Sequence, residues 1–352
     1  MRKATTTVPE VTIGLDLGNR FSHACVLDAE ARVSERLRFP TTRSGLEKAF
    51  TDRRPCRVVL ETGTHSPWMS RALEALGHEV LVANAREVQS ITRSSRKNDE
   101  ADAEQLARLG RSDPQLLRPI RHRSEAVQRD RALLAVRRKL VDTRTSLVVQ
   151  AHGLAQALGE PLPRCRPEAF VRRVRPVEDR FAGLRALLDV VAVLDTEIAE
   201  LDHEVERLGH EVYPETVLLS QVPGVGPVTA LTYVLTLEDP SHFQTSRRVG
   251  SYLGLRPKQR DSGERRRELS ISKQGDRELR RLLVQCAQWI LHRGPDSDLK
   301  RAGLRRIERG GAAARKKAVV AVARKLAVVL HHLWQTGSVY EPLHYCDLRH
   351  AA

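Results

Sequence analysis

The first 83 residues carry short apolar runs in an order that limits what the chain can fold into. Val11–Leu15 and Phe21–Leu27 alternate or run apolar, and a third run ends at Phe39, which predicts three consecutive antiparallel strands. The elements predicted next are helices over 44–50 and 67–76 and strands over 57–60 and 79–82. Three strands followed by alternating helix and strand indicate an α/β sheet.

This order of elements is that of an RNase H-like fold, in which the first and fourth strands lie side by side. Asp16 lies on the first strand (VTIGLDLG) and Glu61 ends the fourth (RVVLETG), so the two carboxylates are expected to meet. Asp99 and Asp102 are three residues apart in KNDEADAEQLARL and share one face of a predicted helix. Asp99 and Asp102 alone could also be ordinary first-turn acids that the helix dipole favours.

Four carboxylates that converge on one spot would repel each other unless divalent cations lay among them, as in a two-metal phosphodiester site. We call the set the acidic tetrad: Asp16, Glu61, Asp99 and Asp102. The pattern indicates an enzyme that cuts nucleic acid with bound divalent cations.

The net charge of +15 indicates a polyanionic partner, and its distribution is uneven. Residues 1–120 carry 19 basic and 16 acidic side chains, residues 121–215 carry 16 of each, and residues 216–352 carry 24 and 12. The C-terminal third is therefore expected to make most phosphate contacts. A solvated arginine-rich surface is the alternative.

A length of 352 residues predicts two to three domains. No apolar run is long enough to cross a bilayer and the first residues lack an apolar signal core, so we expect a cytoplasmic protein. The cysteines form no CxxC pair, which argues against disulfides and structural zinc. They are Cys25, Cys56, Cys165, Cys286 and Cys346.

The middle of the chain predicts an antiparallel helical hairpin with a break at 160–167. Its second helix has an a/d stripe of about four heptads: Leu187, Val191, Leu194, Ile198, Leu201, Val205, Leu208 and Val212. A partner stripe on the first helix is Leu133, Val136, Leu140, Leu147, Leu154 and Leu158. The stripes could pair within one chain or between two chains.

The C-terminal region opens with LLSQVPGVGPVTALTYVL. Gly224 and Gly226 flank Val225 just before a helix, where backbone amides can approach a phosphate closely. This resembles the hairpin of helix-hairpin-helix DNA-binding modules. A tight turn between two packed helices is the alternative.

Ser262 lies between Asp261 and Gly263 in a predicted loop rich in basic residues. Neighbouring positive charge can activate a serine hydroxyl and bind a phosphate, so Ser262 is a candidate nucleophile. It could also be an ordinary turn serine, and Ser270 and Ser272 compete for the role. The candidate nucleic-acid contacts here are Arg256, Lys258, Arg260, Arg265, Arg266, Arg267 and Lys273. Helices predicted over 276–292 and 315–335 follow.

Several motifs in fixed order resemble the IS110 family of DEDD transposases, which is related to the pilin-inversion recombinase. They run from GLDLG, LETG and KNDEADAEQLARL to VPGVGP, GLRPKQRDSG, SISKQGDRELRRLL and ARKKAVVAVARKL. The resemblance places the family's four carboxylates on the acidic tetrad and its active serine on Ser262. One departure is Asn98, where the family usually has threonine.

The resemblance implies three regions: a RuvC-like catalytic domain over 9–120, a coiled-coil arm over 121–213, and a C-terminal transposase domain over 214–345. It also implies a bacterial, nucleoid-associated, site-specific recombinase that binds target and donor DNA. The catalytic domain is expected to hold Mg²⁺, or alternatively Mn²⁺, and no organic cofactor. Family members are guided by a structured bridge RNA and work as tetramers with composite sites. We therefore expect this chain to bind such an RNA and to form a homo-oligomer, a dimer or a tetramer, without a membrane partner.

Three alternatives stay open from the residues alone. A RuvC-like nuclease or junction resolvase would use the same tetrad with water as the attacking group. An ATP-binding enzyme of the sugar-kinase and actin superfamily is favoured by IGLDLGNRF, but a second phosphate loop is not evident. A non-enzymatic DNA-binding protein would rely on VPGVGP and the basic helices.

Overall fold

The structure, a computed structural model, describes residues 10–84, 98–262, 265–311 and 313–343. Contacts divide the chain into two units, Met1–Ser124 and Glu125–Ala352, and each is described by itself. The second unit contains both the region expected to form an arm and the C-terminal region. The three-part division of the sequence stays a prediction.

The first unit is a five-stranded mixed sheet with helices on both faces. Its strands are β1 (Thr12–Leu17), β2 (Phe21–Leu27), β3 (Val33–Pro40), β4 (Arg57–Glu61) and β5 (Glu79–Ala83), and its helices are α1 (Arg43–Phe50), α2 (Ser66–Ala75) and α3 (Asp99–Ser112). The strand order is β3-β2-β1-β4-β5. β1 pairs antiparallel with β2 and parallel with β4, which confirms that the first and fourth strands are neighbours.

The two faces of the sheet explain the apolar character of β1. Ile13 and Leu15 are fully buried in a cluster with Leu46 of α1 and Leu73 of α2. Strands that are covered on both faces have near-continuous apolar runs, as β1 does.

The opposite face of β1 receives α3 at very short range. A Cβ at Gly14 would lie 2.0 Å from the carbonyl oxygen of Ala103 and 2.4 Å from the amide nitrogen of Ala107. A Cβ at Gly110 would lie 2.2 Å from Cγ2 of Val59 on β4. Glycines on the strand and on the helix therefore let the backbones of α3 and the sheet approach each other.

The second unit is mainly helical. Its elements are α4 (Glu125–Ala157), α5 (Phe170–Val174), α6 (Leu184–Glu211), α7 (Glu215–Leu219), α8 (Pro227–Leu237), α9 (Arg247–Tyr252), β6 (Pro257–Ser262), β7 (Arg265–Ile271), α10 (Arg277–His292), α11 (Asp298–Glu308) and α12 (Ala314–Thr336). No helix in the described ranges is long and apolar enough to cross a membrane. Among the described residues of both units, Cys25, Cys56, Cys165 and Cys286 are free thiols, and Cys346 lies outside the described residues.

Helices α4 and α6 form an antiparallel pair, which we call the helical hairpin. Arg137 pairs with Asp202 and Arg144 with Asp195. Residue numbers therefore rise along α4 while those of their partners fall along α6, which shows that the helices are antiparallel. The structure thus has the two helices packed together within one chain. Pairing between chains stays a prediction.

The predicted stripe on α6 is more accurate than the one on α4. Val191, Ile198, Val205 and Leu208 are buried as expected. Of the six expected partners, Leu133, Leu140 and Leu147 are half-buried, whereas Val136, Leu154 and Leu158, which follows the end of α4, are exposed.

The prediction is therefore correct for half of the stripe on α4. The apolar residues that this helix buries most completely are Val127, Leu134, Val148, Ala151 and Ala155. Its buried face also contains an arginine, which an apolar pattern does not include.

That arginine, Arg144, is only 7% exposed. Its Nη1 donates to Asp195 at 2.8 Å and its Nη2 to Glu168 at 3.0 Å. The side chain of Asp195 is 27% exposed and that of Glu168 is 64% exposed, so Asp195 is the partner whose removal would leave the buried guanidinium least compensated. The hairpin is therefore polar at its centre and apolar toward both ends.

The C-terminal helices pack around a second large core. Tyr233 of α8 is fully buried, and its hydroxyl donates to the carbonyl of Ala327 on α12 at 2.6 Å. Helix α11, which begins after Ser297 caps the amide of Lys300, was not predicted. Residues 257–271, apart from 263 and 264, form a two-stranded hairpin where a loop was predicted, so the loop prediction was wrong.

We expect Gly14→Ala to lower the free energy of unfolding by about 1–3 kcal/mol, because the new methyl group meets backbone atoms of α3 that only a shift of the helix can relieve. Urea unfolding measures the change. Gly63→Ala is the matched control, since a Cβ there meets nothing within 4 Å, and we expect a change within about 0.5 kcal/mol. Equal stability of Gly14→Ala and wild type would contradict the close approach.

Candidate active site

Two members of the acidic tetrad lie at the carboxyl ends of adjacent parallel strands. Leu15 of β1 is the register partner of Leu60 of β4, so Asp16 and Glu61 are the next residues on each strand. Both are half-buried. The register places them at the same edge of the sheet, as the sequence predicted.

The other two members lie in the first turn of α3. Asn98 caps this helix, and its side-chain oxygen accepts from the amide of Glu100 at 3.2 Å. The asparagine that departs from the family pattern thus supplies the hydrogen-bond acceptor that the helix start needs. Asp99 is 70% exposed and Asp102 is half-buried.

Polar contacts add to the glycine packing that holds α3 on the sheet. Arg36 of β3 pairs with Glu104 at 2.6 Å. Nη1 of Arg57 on β4 donates to the carbonyl of Gly110 at 3.1 Å. Both ends of the helix are therefore fixed relative to the strands that carry Asp16 and Glu61.

The pKa of Asp16 is raised above its ordinary value of 3.8. Burial is the largest cause, followed by the negative charges of Asp99 and Asp102. His23 and the backbone amide of Leu17 act in the opposite direction. The structure therefore brings three of the four tetrad carboxylates within electrostatic range of one another.

His23 is a residue of this site that the sequence analysis missed. It is the register partner of Asp16 on β2, and its Nε2 lies 3.8 Å from a carboxylate oxygen of Asp99. Its side chain is 18% exposed. The signal was present in the sequence, because β1 and β2 are joined by a short turn that sets their antiparallel register.

The tetrad fits a hard divalent cation by its donor chemistry. Carboxylate oxygens are the ligands that Mg²⁺ and Mn²⁺ prefer. Burial is the main cause of the raised pKa of Asp16, and a cation would relieve the smaller contribution that comes from the negative charges of Asp99 and Asp102. Within the described ranges, however, no three or more His, Cys, Asp or Glu side chains stand close enough to hold a metal together.

The turn before α8 contains the two glycines expected at a phosphate. Gly224 has a φ of +93°, and a Cβ there would lie 2.7 Å from Cε3 of Trp289. The contact with this tryptophan is therefore a sufficient reason for a glycine at this position, whether or not a phosphate binds. Gly226 is the N-cap of α8, with Pro227 at the first helical position, and a Cβ there meets nothing within 4 Å. Gly226 is therefore the glycine with open space beside it.

Ser262 is the last residue of β6 and the register partner of Arg265 on β7. Asp261 pairs in register with Arg266, and Arg260 with Arg267. Ser262 lies in the second unit, whereas the tetrad lies in the first. The catalytic role of Ser262 stays a prediction.

The remaining candidate contacts flank this β-hairpin. Arg256 precedes β6, Lys258 lies within it, and Lys273 follows β7 with a φ of +56°. All three are exposed to solvent. Their roles in binding nucleic acid stay predictions.

Comparison with known proteins shows similarity over both units. A family model of DEDD-type IS110 transposases, described as "Transposase", matches residues 13–158. A second model, described as "Transposase IS116/IS110/IS902 family", matches residues 217–301.

Individual relatives include transposases of insertion sequences and a pilin gene-inverting protein. The transposase for insertion sequence element IS1328 of Yersinia enterocolitica is 30% identical over 81% of this chain and 86% of its own length. The transposase for insertion sequence element IS1111A of Coxiella burnetii is 26% identical over 93% and 90%. The pilin gene-inverting protein of Moraxella bovis is 28% identical over 77% of each chain.

The raised pKa of Asp16 has a consequence for stability. The folded state binds this proton more tightly than the unfolded state, so the contribution of Asp16 to stability falls as the pH rises from 3.8 through the raised pKa. Without divalent cations, we expect Asp16→Asn to be more stable than wild type, by a margin that grows across this window and is constant above it. Urea unfolding over a pH series measures the margin.

Asp52→Asn, which removes an exposed carboxylate after α1, is the matched control. It should show a smaller margin. A margin for Asp16→Asn that does not depend on pH would contradict the coupling of the three carboxylates.

Proposed function

This chain belongs to the IS116/IS110/IS902 family of transposases, and from that premise we propose that it cuts DNA with the acidic tetrad and exchanges strands through Ser262. It is an insertion-sequence transposase, and DNA is its partner. The observation that carries the proposal is the coupling of Asp16 to Asp99 and Asp102 at the carboxyl ends of β1 and β4.

The tetrad residues are the metal ligands in this proposal. A divalent cation, Mg²⁺ or Mn²⁺, would polarise the scissile phosphate when bound. Asp16 is the central ligand because its strand lies beside the strand of Glu61 and because its carboxylate is coupled to two carboxylates of α3. Asp99, which is 70% exposed, is the member with the most freedom to adjust to the substrate.

His23 is a positioning residue in the proposed site. It lies within 3.8 Å of Asp99 and its charge acts on the pKa of Asp16, so it orients one ligand and moderates the other. Its position on β2 is fixed by register with Asp16.

Ser262 is the nucleophile in the proposed strand exchange. Its Oγ would form a bond to phosphorus and lose its proton to solvent, the bond from phosphorus to O3′ would break, and the departing O3′ would take up a proton from solvent. The products are a phosphoserine link and a free 3′ hydroxyl, so the phosphodiester energy is kept and no ATP is needed. The opposition of β6 to three successive arginines on β7 supports this role, because arginines bind and polarise phosphate.

The proposal includes a guide RNA and a homo-oligomer, a dimer or a tetramer. Both follow from the family resemblance. The excess of positive charge in residues 216–352, with 24 basic against 12 acidic side chains, is compatible with a second nucleic acid beside DNA.

A second candidate is a metal-dependent nuclease or junction resolvase that uses water. The observation in its favour is that all four tetrad residues lie in the first unit and Ser262 in the second. Under this alternative Ser262 would be dispensable.

We expect Asp102→Asn to lower DNA strand cleavage by about a thousandfold or more, or about 4 kcal/mol of transition-state free energy, while DNA binding is kept. Mg²⁺ should raise the unfolding temperature of wild type more than that of this variant. Glu100→Gln removes an exposed carboxylate from the same helical turn and should cleave like wild type. If Asp102→Asn cleaved DNA at the wild-type rate, the proposal that the acidic tetrad is the catalytic site would be refuted.

We expect Ser262→Ala to abolish both strand exchange and the covalent protein–DNA adduct, because no other group supplies the bond to phosphorus. Denaturing electrophoresis of reactions with labelled DNA detects the adduct. Ser270→Ala, on the following strand, is the control and should retain both. If Ser262→Ala still cuts DNA, the water-dependent nuclease is the correct alternative.

A further inference from the structure

The turn between α11 and α12 carries a concentration of positive charge that the sequence analysis did not single out. Two adjoining cavities of about 150 and 280 Å³ open beside it, and their linings share Arg306 and Arg309. No carboxylate is among the described residues that line them. The lining cations, which we call the basic groove, are Arg305, Arg306, Arg309, Lys317 and Lys325.

The basic groove differs from most of the exposed arginines around it. Arg301 pairs with Asp296, and Arg281 of α10 pairs with Glu278. Within the part of the chain that the structure describes, no member of the basic groove forms an ion pair. The positive charge of the groove is thus left for a ligand from outside this chain.

The charges in the groove are close enough to act on one another. Partial desolvation lowers the pKa of Lys325, and the positive charges of Arg305 and Arg306 lower it further, against the opposing effect of Asp298. Arg305 and Arg309 are four residues apart at the end of α11, where like charges are mutually destabilising. An anion bound among these side chains would remove this repulsion.

The helices below the groove are rigidly packed. Gly303 of α11 lies so near its neighbours that a Cβ there would be 2.3 Å from Cδ2 of Leu291 and 2.8 Å from Cγ2 of Val322. Val322 and Leu299 are buried between the helices. These contacts hold α11, which carries Arg305 and Arg306, close against α12, which carries Lys317 and Lys325. Cations that are placed before a ligand arrives lower the entropic cost of binding.

We propose that the basic groove binds the sugar-phosphate backbone of DNA, with phosphate groups seated in the two cavities, and that it does so independently of base sequence. Arginine and lysine side chains that meet phosphates position a duplex without reading its bases. The proposal rests on the DNA chemistry of the proposed function, but not on the tetrad or on Ser262. RNA has the same phosphate groups. Measuring the affinity for a DNA duplex and for an RNA hairpin in parallel therefore shows which nucleic acid supplies the bound phosphates.

The test replaces three groove cations in the full-length protein: Arg306→Gln, Arg309→Gln and Lys317→Gln. Affinity for a DNA duplex of arbitrary sequence is measured over a series of salt concentrations. We expect affinity at moderate salt to fall roughly tenfold or more, and the slope of log K against log salt to shrink by about 0.9 for each phosphate that the variant no longer neutralises. An unchanged slope would overturn the proposal.

A matched control removes the same charge elsewhere in the second unit: Lys139→Gln, Arg172→Gln and Arg173→Gln. These side chains are exposed and line neither cavity. The control should keep the wild-type slope. If the control lost as much affinity and slope as the groove variant, the effect would be one of net charge alone, and the proposal that the basic groove binds DNA would be overturned.

Two further readouts keep the result independent of folding and of the cleavage chemistry. In the unaltered protein, bound duplex should protect Lys317 and Lys325 from acetylation but leave Lys139 reactive, and no protection would overturn the proposal. If the groove variant lost affinity for the RNA hairpin but not for the DNA duplex, the proposal that the groove binds DNA would also be overturned. Asp102→Asn should keep the wild-type DNA slope, so failure of the tetrad and failure of the groove give different results.

Discussion

The contact between β1 and α3 is the constraint on which the first unit and its candidate site depend. Gly14 has no side chain to separate the strand from the helix, so backbone atoms of Ala103 and Ala107 come directly against it. This approach fixes the first turn of α3 beside the strand ends and brings Asp99 and Asp102 within electrostatic range of Asp16. Packing of small residues therefore holds together charges that would otherwise separate. The favourable packing and the unfavourable charge crowding are two consequences of one contact.

Much of the fold could be predicted from the sequence because its signals are local. The strand order of the first unit follows from alternating patterns and short connections, and the strand bounds are within two residues of those predicted. Three parts could not be predicted in full. Helix α11 has few apolar side chains and buries little besides Leu299 and Gly303. The buried face of α4 contains Arg144, which an apolar pattern excludes, so only part of its stripe was predicted correctly. The pairing of β6 with β7 was not predicted, because their sequence is mainly polar and basic.

The candidate site was predictable to the same extent as the elements that carry it. Asp16 and Glu61 follow from the adjacency of β1 and β4, and Asp99 and Asp102 from helical spacing. His23 was missed because its relation to Asp16 is one of register across strands, not of spacing along the chain. The role of Gly224 at a phosphate stays a prediction. The contact of this glycine with Trp289 was not predictable, because the two residues are 65 positions apart in the chain.

The buried Arg144 gives the helical hairpin a fixed alignment. If α6 slid past α4 by one heptad so that Leu188 came opposite Arg144, the guanidinium would lose Asp195 and face an apolar side chain. A slide in the other direction would bring Asp202 opposite Arg144 but would take Asp202 away from Arg137. An all-leucine interface would tolerate such slippage far better, because each step would exchange one apolar contact for another. A single interior cation thus makes the paired helices a spacer of one defined length, and whatever is attached at the far end is held at a constant reach.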